Sequence, residues 1–130
     1  MEFKSLSDKE EFIGKEIVDA AYKVHQAFGP GVLESIYETC FCYELKKKGL
    51  DIRRQVQVQI NYDGIQFDEG LRLGVMVEAL VICELKAVVD MKPVFEAQLL
   101  SYLKLTGKRL GFLINFNFPV IKNVIKRMIL

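Results

Sequence analysis

The hydrophobic residues of this 130-residue chain change their spacing along the sequence, and the order of those changes constrains the fold most. From Ser7 to about residue 28 they recur at helical spacing, and in the stretch RQVQVQINY they alternate with polar residues. A further helical segment precedes the short apolar run LGFLINF. The order helix, helix, strands, helix, strand predicts an α/β domain with one mixed sheet and helices packed on it.

Local signals set the expected limits of the helices. Ser7 with Glu10 three residues later is typical of a capping box at the start of the first helix. The GPG stretch at residues 29–31 separates it from a second helix, expected from about residue 32 to residue 48. Pro93 at the start and Gly107 at the end delimit a third helix.

The predicted strands form an antiparallel meander followed by one separate strand. The dipeptide Asp63-Gly64 favours a tight hairpin turn of type I′, after which the residues IQF pair back. The stretches LRLGVMV and ALVICELKAV predict two more strands joined near Glu78-Ala79, which gives a meander of three or four strands. LGFLINF is suited to the middle of the sheet, and the tail VIKNVIKRMIL is expected to be a short helix.

Composition restricts the class of protein without indicating a partner. The length and the 51% hydrophobic share predict one domain over residues 1–130, and the net charge of +1 gives no general attraction to nucleic acid. The three cysteines in apolar surroundings favour a cytoplasmic protein over a disulfide framework. The charged N-terminus and the absence of a long apolar run argue against secretion and membrane insertion, while a half-polar sheet leaves a homo-oligomer open.

The stretch VICELKAV places two charges in an apolar strand, which needs a partner or a chemical role. Strand alternation puts Glu84 and Lys86 on one face and Cys83, Leu85 and Ala87 on the other. A carboxylate and an ammonium in this arrangement could hold a divalent cation and orient a water for phosphodiester hydrolysis. The alternative is a salt bridge at the end of the strand with no function.

Two helices present polar side chains that could join such a site. Gln98 and Tyr102 lie four residues apart on one face of the third helix, and Glu34 and Tyr37 lie three apart on the second. Each pair has an ordinary alternative explanation. Gln98 and Tyr102 would be a solvated glutamine and a half-buried tyrosine at the edge of a helix. Glu34 would lie in the first turn of a helix, where its negative charge interacts favourably with the helix dipole.

These motifs together resemble a known protein family. GVLESIY resembles the GxxExxY motif, and CELKAV with QLLSY resembles the ExK and QxxxY elements of PD-(D/E)XK nucleases, of which the GxxExxY proteins are a branch. The resemblance covers residues 15–127, including the ending EAQLLSYLKLTGKRLGFLINFN. It implies a restriction-endonuclease-like core, a central mixed sheet flanked by helices, and metal-dependent hydrolysis of nucleic acid.

The resemblance also implies a role for each matching residue. Glu84 and the Leu85 carbonyl would bind Mg²⁺ or Mn²⁺, with Glu34 approaching the metal directly or through water, and Lys86 would be the catalytic lysine. Gln98 and Tyr102 would orient the lysine, a water or the nucleic-acid backbone. Gly31 and Tyr37 are the remaining motif residues.

The chain departs from the family pattern at one position. The strand before ExK usually reads R-x-D, and here it reads Arg72-Leu73-Gly74, so that a glycine stands where a metal-binding aspartate is expected. Mg²⁺ usually relies on one or two carboxylates, so metal binding should be weak or absent. Two functions remain open. One is an impaired metal-dependent nuclease acting on DNA more than on RNA, and the other is a catalytically inactive module that binds nucleic acid or a protein partner.

Overall fold

A single mixed sheet forms the centre of the protein. The computed structural model describes residues 5–121 and 125–130, with the side chains of residues 68 and 69 left outside the description. The strands of the described part pair in the order β1-β2-β3-β4-β5, with β3 and β4 parallel and the other neighbours antiparallel. The elements are α1 (Asp8–Phe28), α2 (Glu34–Lys47), β1 (Ile52–Tyr62), β2 (Ile65–Val77), β3 (Val81–Lys86), α3 (Pro93–Thr106), β4 (Leu110–Asn115) and β5 (Ile125–Ile129).

Helices cover both faces of this sheet, which confirms the predicted α/β architecture. One core cluster joins α1 and α2 to the sheet and includes Cys83 and Leu85 of β3. A second cluster joins α3 to the opposite face and includes Ile82 of the same strand. The alternating residues of β3 therefore face different helices. Of the helices in the described part of the chain, none has the length and apolar character needed to span a bilayer.

Most of the local signals are confirmed. The Ser7 hydroxyl accepts a hydrogen bond from the Glu10 N–H at 3.1 Å, and the Glu10 carboxylate accepts one from the Ser7 N–H at 2.8 Å, which completes the capping box. At the hairpin, Asp63 and Gly64 have φ values of 50° and 80°, as a type I′ turn requires. Gly107 ends α3 in the left-handed conformation.

Of the two predicted meanders the three-stranded one is confirmed, because the residues IQF and LRLGVMV belong to one strand, β2, which pairs with β1 and β3. The prediction for the tail was wrong. The tail is a strand over residues 125–129, whereas a helix was predicted; residues 122–124 of that prediction lie outside the described residues. The physical reason is that β5 pairs with β4, whose outer edge would otherwise leave backbone N–H and C=O groups unpaired.

Candidate active site

The two charges of β3 lie where this strand meets α3. Glu84 and Lys86 are both half-buried, and the Lys86 Nζ lies over the ring of Phe95 in α3, at 4.6 Å from the ring centroid. Within the described part of the chain Lys86 forms no ion pair, with Glu84 or with any other carboxylate. The structure therefore does not contain the salt bridge that was the alternative explanation for these two residues.

The Glu84 carboxylate instead accepts a hydrogen bond from the backbone of the neighbouring strand. The Gly74 N–H donates to Glu84 Oε1 at 3.0 Å. Burial raises the pKa of the Glu84 carboxyl, and the negative charges of Glu34 and Glu38 raise it further. The Gly74 hydrogen bond and the positive charge of Lys86 act against this rise. Two other carboxylates and one ammonium therefore act electrostatically on Glu84.

Gly74 lies where the alternation of β2 is interrupted. Leu73 belongs to the cluster under α3 and Val75 to the cluster under α1 and α2, although residues two apart in a regular strand share a face. Opposite this position in β1, Gln55 has a φ of 51°, which L-residues rarely adopt. The regular pairing of the two strands skips both residues. The interruption leaves the Gly74 N–H free to reach the side chain of Glu84.

A side chain at position 74 would point at the Glu84 carboxylate. A Cβ atom placed on Gly74 would lie 3.5 Å from Glu84 Oε2 and 3.2 Å from the Cys83 carbonyl oxygen. The second distance is tighter than an ordinary contact, so the backbone would have to move slightly. An aspartate at position 74 would therefore place its carboxylate beside that of Glu84, and glycine has no side chain that could do so.

The start of α2 brings two acidic residues toward this end of the sheet. Glu34 is the exposed first residue of α2, and Glu38 is half-buried one turn later. Glu38 Oε2 accepts hydrogen bonds from Arg54 Nε and Nη2 at 3.1 and 2.9 Å, and its Oε1 accepts one from Gln55 Nε2 at 3.0 Å. Both oxygens of Glu38 are thus engaged by β1, whereas Glu34 stays exposed.

The other two residues of the GxxExxY motif shape the turn before α2. The fully buried Tyr37 donates its hydroxyl hydrogen to the Gly29 carbonyl and accepts a hydrogen bond from the Val32 N–H at 3.1 Å. Its ring stacks on Phe116 with 4.6 Å between centroids. Gly31 has a φ of 96°, which favours glycine. Both residues therefore stabilise the GPG turn that leads into α2 and Glu34.

On α3 the two residues of the QxxxY element share one face of the helix but differ in burial. Tyr102 is half-buried, and its phenol pKa is raised by burial and by the negative charge of Glu84. Gln98 is exposed, and its side chain makes no hydrogen bond to another described residue. Phe95 was not predicted as part of the site, although it lies one helical turn before Gln98 and so on the same face of α3.

A second missed residue, Asn115, fixes the chain just after Lys86. Its side chain is fully buried, and its Oδ1 accepts hydrogen bonds from the N–H groups of Val88 and Asn117, both at 3.1 Å. Its Nδ2 donates to the Val88 carbonyl at 2.9 Å. The position of this amide inside the apolar run LGFLINF could have indicated its role, because a buried polar side chain needs hydrogen-bond partners. Through these hydrogen bonds Asn115, the last residue of β4, holds the segment that follows β3 beside β4.

The residues that would bind a metal do not form a complete site. No three histidine, cysteine, aspartate or glutamate side chains of the described residues are grouped so that they could hold a metal ion. The expected ligands are Glu84, the exposed Glu34 and the Leu85 carbonyl, and the strand aspartate is replaced by Gly74. Mg²⁺ requires near-octahedral oxygen coordination. This donor set is one carboxylate short of the set that the family pattern implies, and the assignment of Glu84, Glu34 and Leu85 as ligands stays a prediction.

Comparison with known proteins identifies the family at the level of a superfamily. A family model described as the PD-(D/E)XK nuclease superfamily matches residues 11–128, which is most of the chain. Members of that superfamily generally use divalent metal ions. Comparisons with curated proteins and with solved structures gave no significant match.

Proposed function

Because the chain belongs to the PD-(D/E)XK nuclease superfamily, we propose that it binds nucleic acid at the end of β3 and hydrolyses phosphodiester bonds only weakly. The observation that carries this proposal is the environment of Gly74. The superfamily needs a carboxylate beside the ExK glutamate, and here a backbone N–H occupies Glu84 Oε1. Loss of a ligand that positions the attacking water commonly reduces the rate by orders of magnitude.

Lys86 supports retained binding of nucleic acid. Its ammonium makes no ion pair within the described part of the chain, so its positive charge is available to a phosphate. With a net charge of only +1, the protein depends on such local charges for its affinity. Tyr102, which interacts electrostatically with Glu84, adds a phenol that can donate a hydrogen bond to a phosphate oxygen.

A second candidate function is metal-dependent hydrolysis at an ordinary rate, with Mg²⁺ or Mn²⁺ bound through Glu34 in place of the strand aspartate. One observation favours it: the charge of Glu34 acts on the Glu84 carboxyl, so the two carboxylates are close enough to interact. Glu38 is less suited, because Arg54 and Gln55 engage both of its oxygens.

Membership of the GxxExxY branch is part of the proposal. Gly31 and Tyr37 stabilise the turn that precedes Glu34. All three motif residues are thereby linked to the position of the Glu34 carboxylate. In this interpretation the motif presents one carboxylate to the site, and its glycine and tyrosine are structural.

The proposal is tested by measuring binding and cleavage separately. Fluorescence anisotropy with labelled single-stranded DNA, double-stranded DNA and RNA gives affinity, and incubation of the same oligonucleotides with Mn²⁺ gives cleavage. We expect the wild type to bind and to cleave very slowly, and Gly74→Asp to cleave faster. Lys86→Met should weaken binding and lower the salt dependence by about one phosphate contact, whereas Lys104→Met, a matched loss of charge on the exposed side of α3, should not.

The outcomes separate the candidates. Rapid cleavage by the wild type that disappears in Glu34→Gln would establish the second candidate and contradict the first. Gly74→Asn serves as the uncharged control, and a gain of cleavage in that variant as well would show that the carboxylate is not responsible. Failure of the wild type to bind DNA or RNA would refute nucleic-acid binding and leave a protein partner as the alternative.

A further inference from the structure

We propose that Phe95 is a positioning residue whose ring holds the ammonium of Lys86 toward the polar end of β3. The contact itself is a property of the protein alone, and its effect on nucleic-acid binding rests on the proposed function. The Lys86 Nζ lies 4.6 Å from the ring centroid, well inside the range of about 6 Å over which cation–π attraction acts.

The ring is suited to this purpose because the core anchors it. Phe95 is half-buried and packs against the cluster under α3, which includes Leu99 and Leu103. Pro93 begins the helix, so that Phe95 sits in its first turn, close to the segment that follows Lys86. The ring therefore has a fixed position relative to β3, whereas a lysine on a free surface samples many rotamers.

The choice of an aromatic contact has a chemical consequence. A carboxylate within ion-pair distance would compete with a phosphate for the ammonium, and no carboxylate of the described residues lies that close to Lys86. The face of a phenyl ring attracts the cation through its quadrupole and carries no net charge. Lys86 is thus oriented without an ion pair that a phosphate would first have to displace.

The first experiment tests the contact in the free protein. Lysine side chains are dimethylated with a ¹³C label, which keeps their charge, and the signal of Lys86 is assigned by its loss in Lys86→Met. The ring current of Phe95 should move this signal upfield in the wild type and in Phe95→Tyr. In Phe95→Leu, which keeps an apolar side chain, the signal should move to the position of an exposed lysine. An unchanged signal in Phe95→Leu would overturn the proposal.

The second experiment tests whether Phe95 acts through Lys86. We expect Phe95→Leu to weaken binding of a DNA oligonucleotide by about two- to fivefold, the size of a cation–π contact at a half-exposed site. In the Lys86→Met background the same substitution should have no effect, because its target is absent. Equal losses in both backgrounds would overturn the proposal, since Phe95 would then act independently of the lysine.

Two further variants exclude a general effect of damaged packing. Leu100→Ala removes another half-buried apolar side chain of α3 that packs on the same cluster, and it should change neither the Lys86 signal nor DNA affinity. Phe95→Tyr keeps an aromatic ring, so the Lys86 signal and the DNA affinity should both stay at their wild-type values. If Phe95→Leu unfolds, the comparison of Phe95→Tyr with Phe95→Met keeps the test decisive, because only the former retains a ring. If the wild type binds no nucleic acid, the proposed function fails while the signal of Lys86 still decides the contact.

Discussion

Replacing Tyr37 by phenylalanine tests whether this residue of the GxxExxY motif is structural. The substitution keeps the stacked ring on Phe116 and removes only the hydroxyl, which bonds the Gly29 carbonyl and the Val32 N–H. Each neutral hydrogen bond contributes roughly 0.5–1.5 kcal/mol, so two of them amount to about 2 kcal/mol of unfolding free energy. The partly buried donor and acceptor left behind can regain water only incompletely, which adds to this cost.

The assay is urea denaturation followed by circular dichroism. With a denaturant slope of about 2 kcal/mol per molar for a chain of this size, the midpoint should fall by about 1 M. Tyr43→Phe is the matched control, because Tyr43 is 60% exposed, and its unfolding free energy should change by less than about 0.5 kcal/mol. DNA affinity of the folded Tyr37→Phe protein should be unchanged. A change below about 0.5 kcal/mol for Tyr37→Phe, or a loss of affinity at unchanged stability, would refute the structural role.

Two other predictions concern stability. Without metal, Gly74→Asp should lower the unfolding free energy by roughly 1–3 kcal/mol, because its carboxylate would lie beside that of Glu84. Mn²⁺ at about 100 times its Kd should raise the unfolding free energy of this variant by about 2.7 kcal/mol and leave that of Gly74→Asn unchanged. The measurement is a Mn²⁺ titration of thermal unfolding, and an equal response of both variants would contradict the reasoning. Burial raises the pKa of the Cys42 thiol to about 11 from 9.0. Between about pH 9 and pH 11 the unfolded thiol therefore loses its proton while the folded one keeps it, so that stability falls as pH rises, by up to about 2.7 kcal/mol. Comparison with Cys42→Ala at each pH isolates this contribution, and parallel curves would show that the thiol is not responsible.

The strand that carries Glu84 and Lys86 was predictable from the sequence, whereas the contacts of the two residues were not. The ExK element correctly placed Glu84 and Lys86 together on one strand, and Gly74, the residue that departs from R-x-D, lies beside Glu84 on the neighbouring strand. That Gly74 stands in place of a metal-binding aspartate stays a prediction. The partners of these residues were not predictable in the same way. Lys86 contacts Phe95 of a helix, and Glu84 bonds a backbone N–H of another strand, and both contacts depend on how the elements pack.

The sequence by itself determined the features whose physical cause lies within a few residues. The capping box of Ser7 and Glu10, the hairpin turn at Asp63 and Gly64, and the end of α3 at Gly107 each depend on side-chain and backbone preferences that act locally. The change from helical to alternating spacing likewise determined the α/β class, because burying one face of each element requires it.

Only the tertiary structure decided the features that depend on distant partners. Residues 125–129 are a strand because β4 offers them an open edge, and their own apolar spacing did not reveal this. Tyr37 is buried because Phe116, far along the chain, supplies the ring on which it stacks. The Gly74 N–H reaches Glu84 because β1 and β2 lose their alternation together, at Gln55 and Gly74. Strand pairing and the packing of helices on the sheet bring together residues that are far apart in the sequence. Nothing in the local sequence around such residues indicates that they will be in contact.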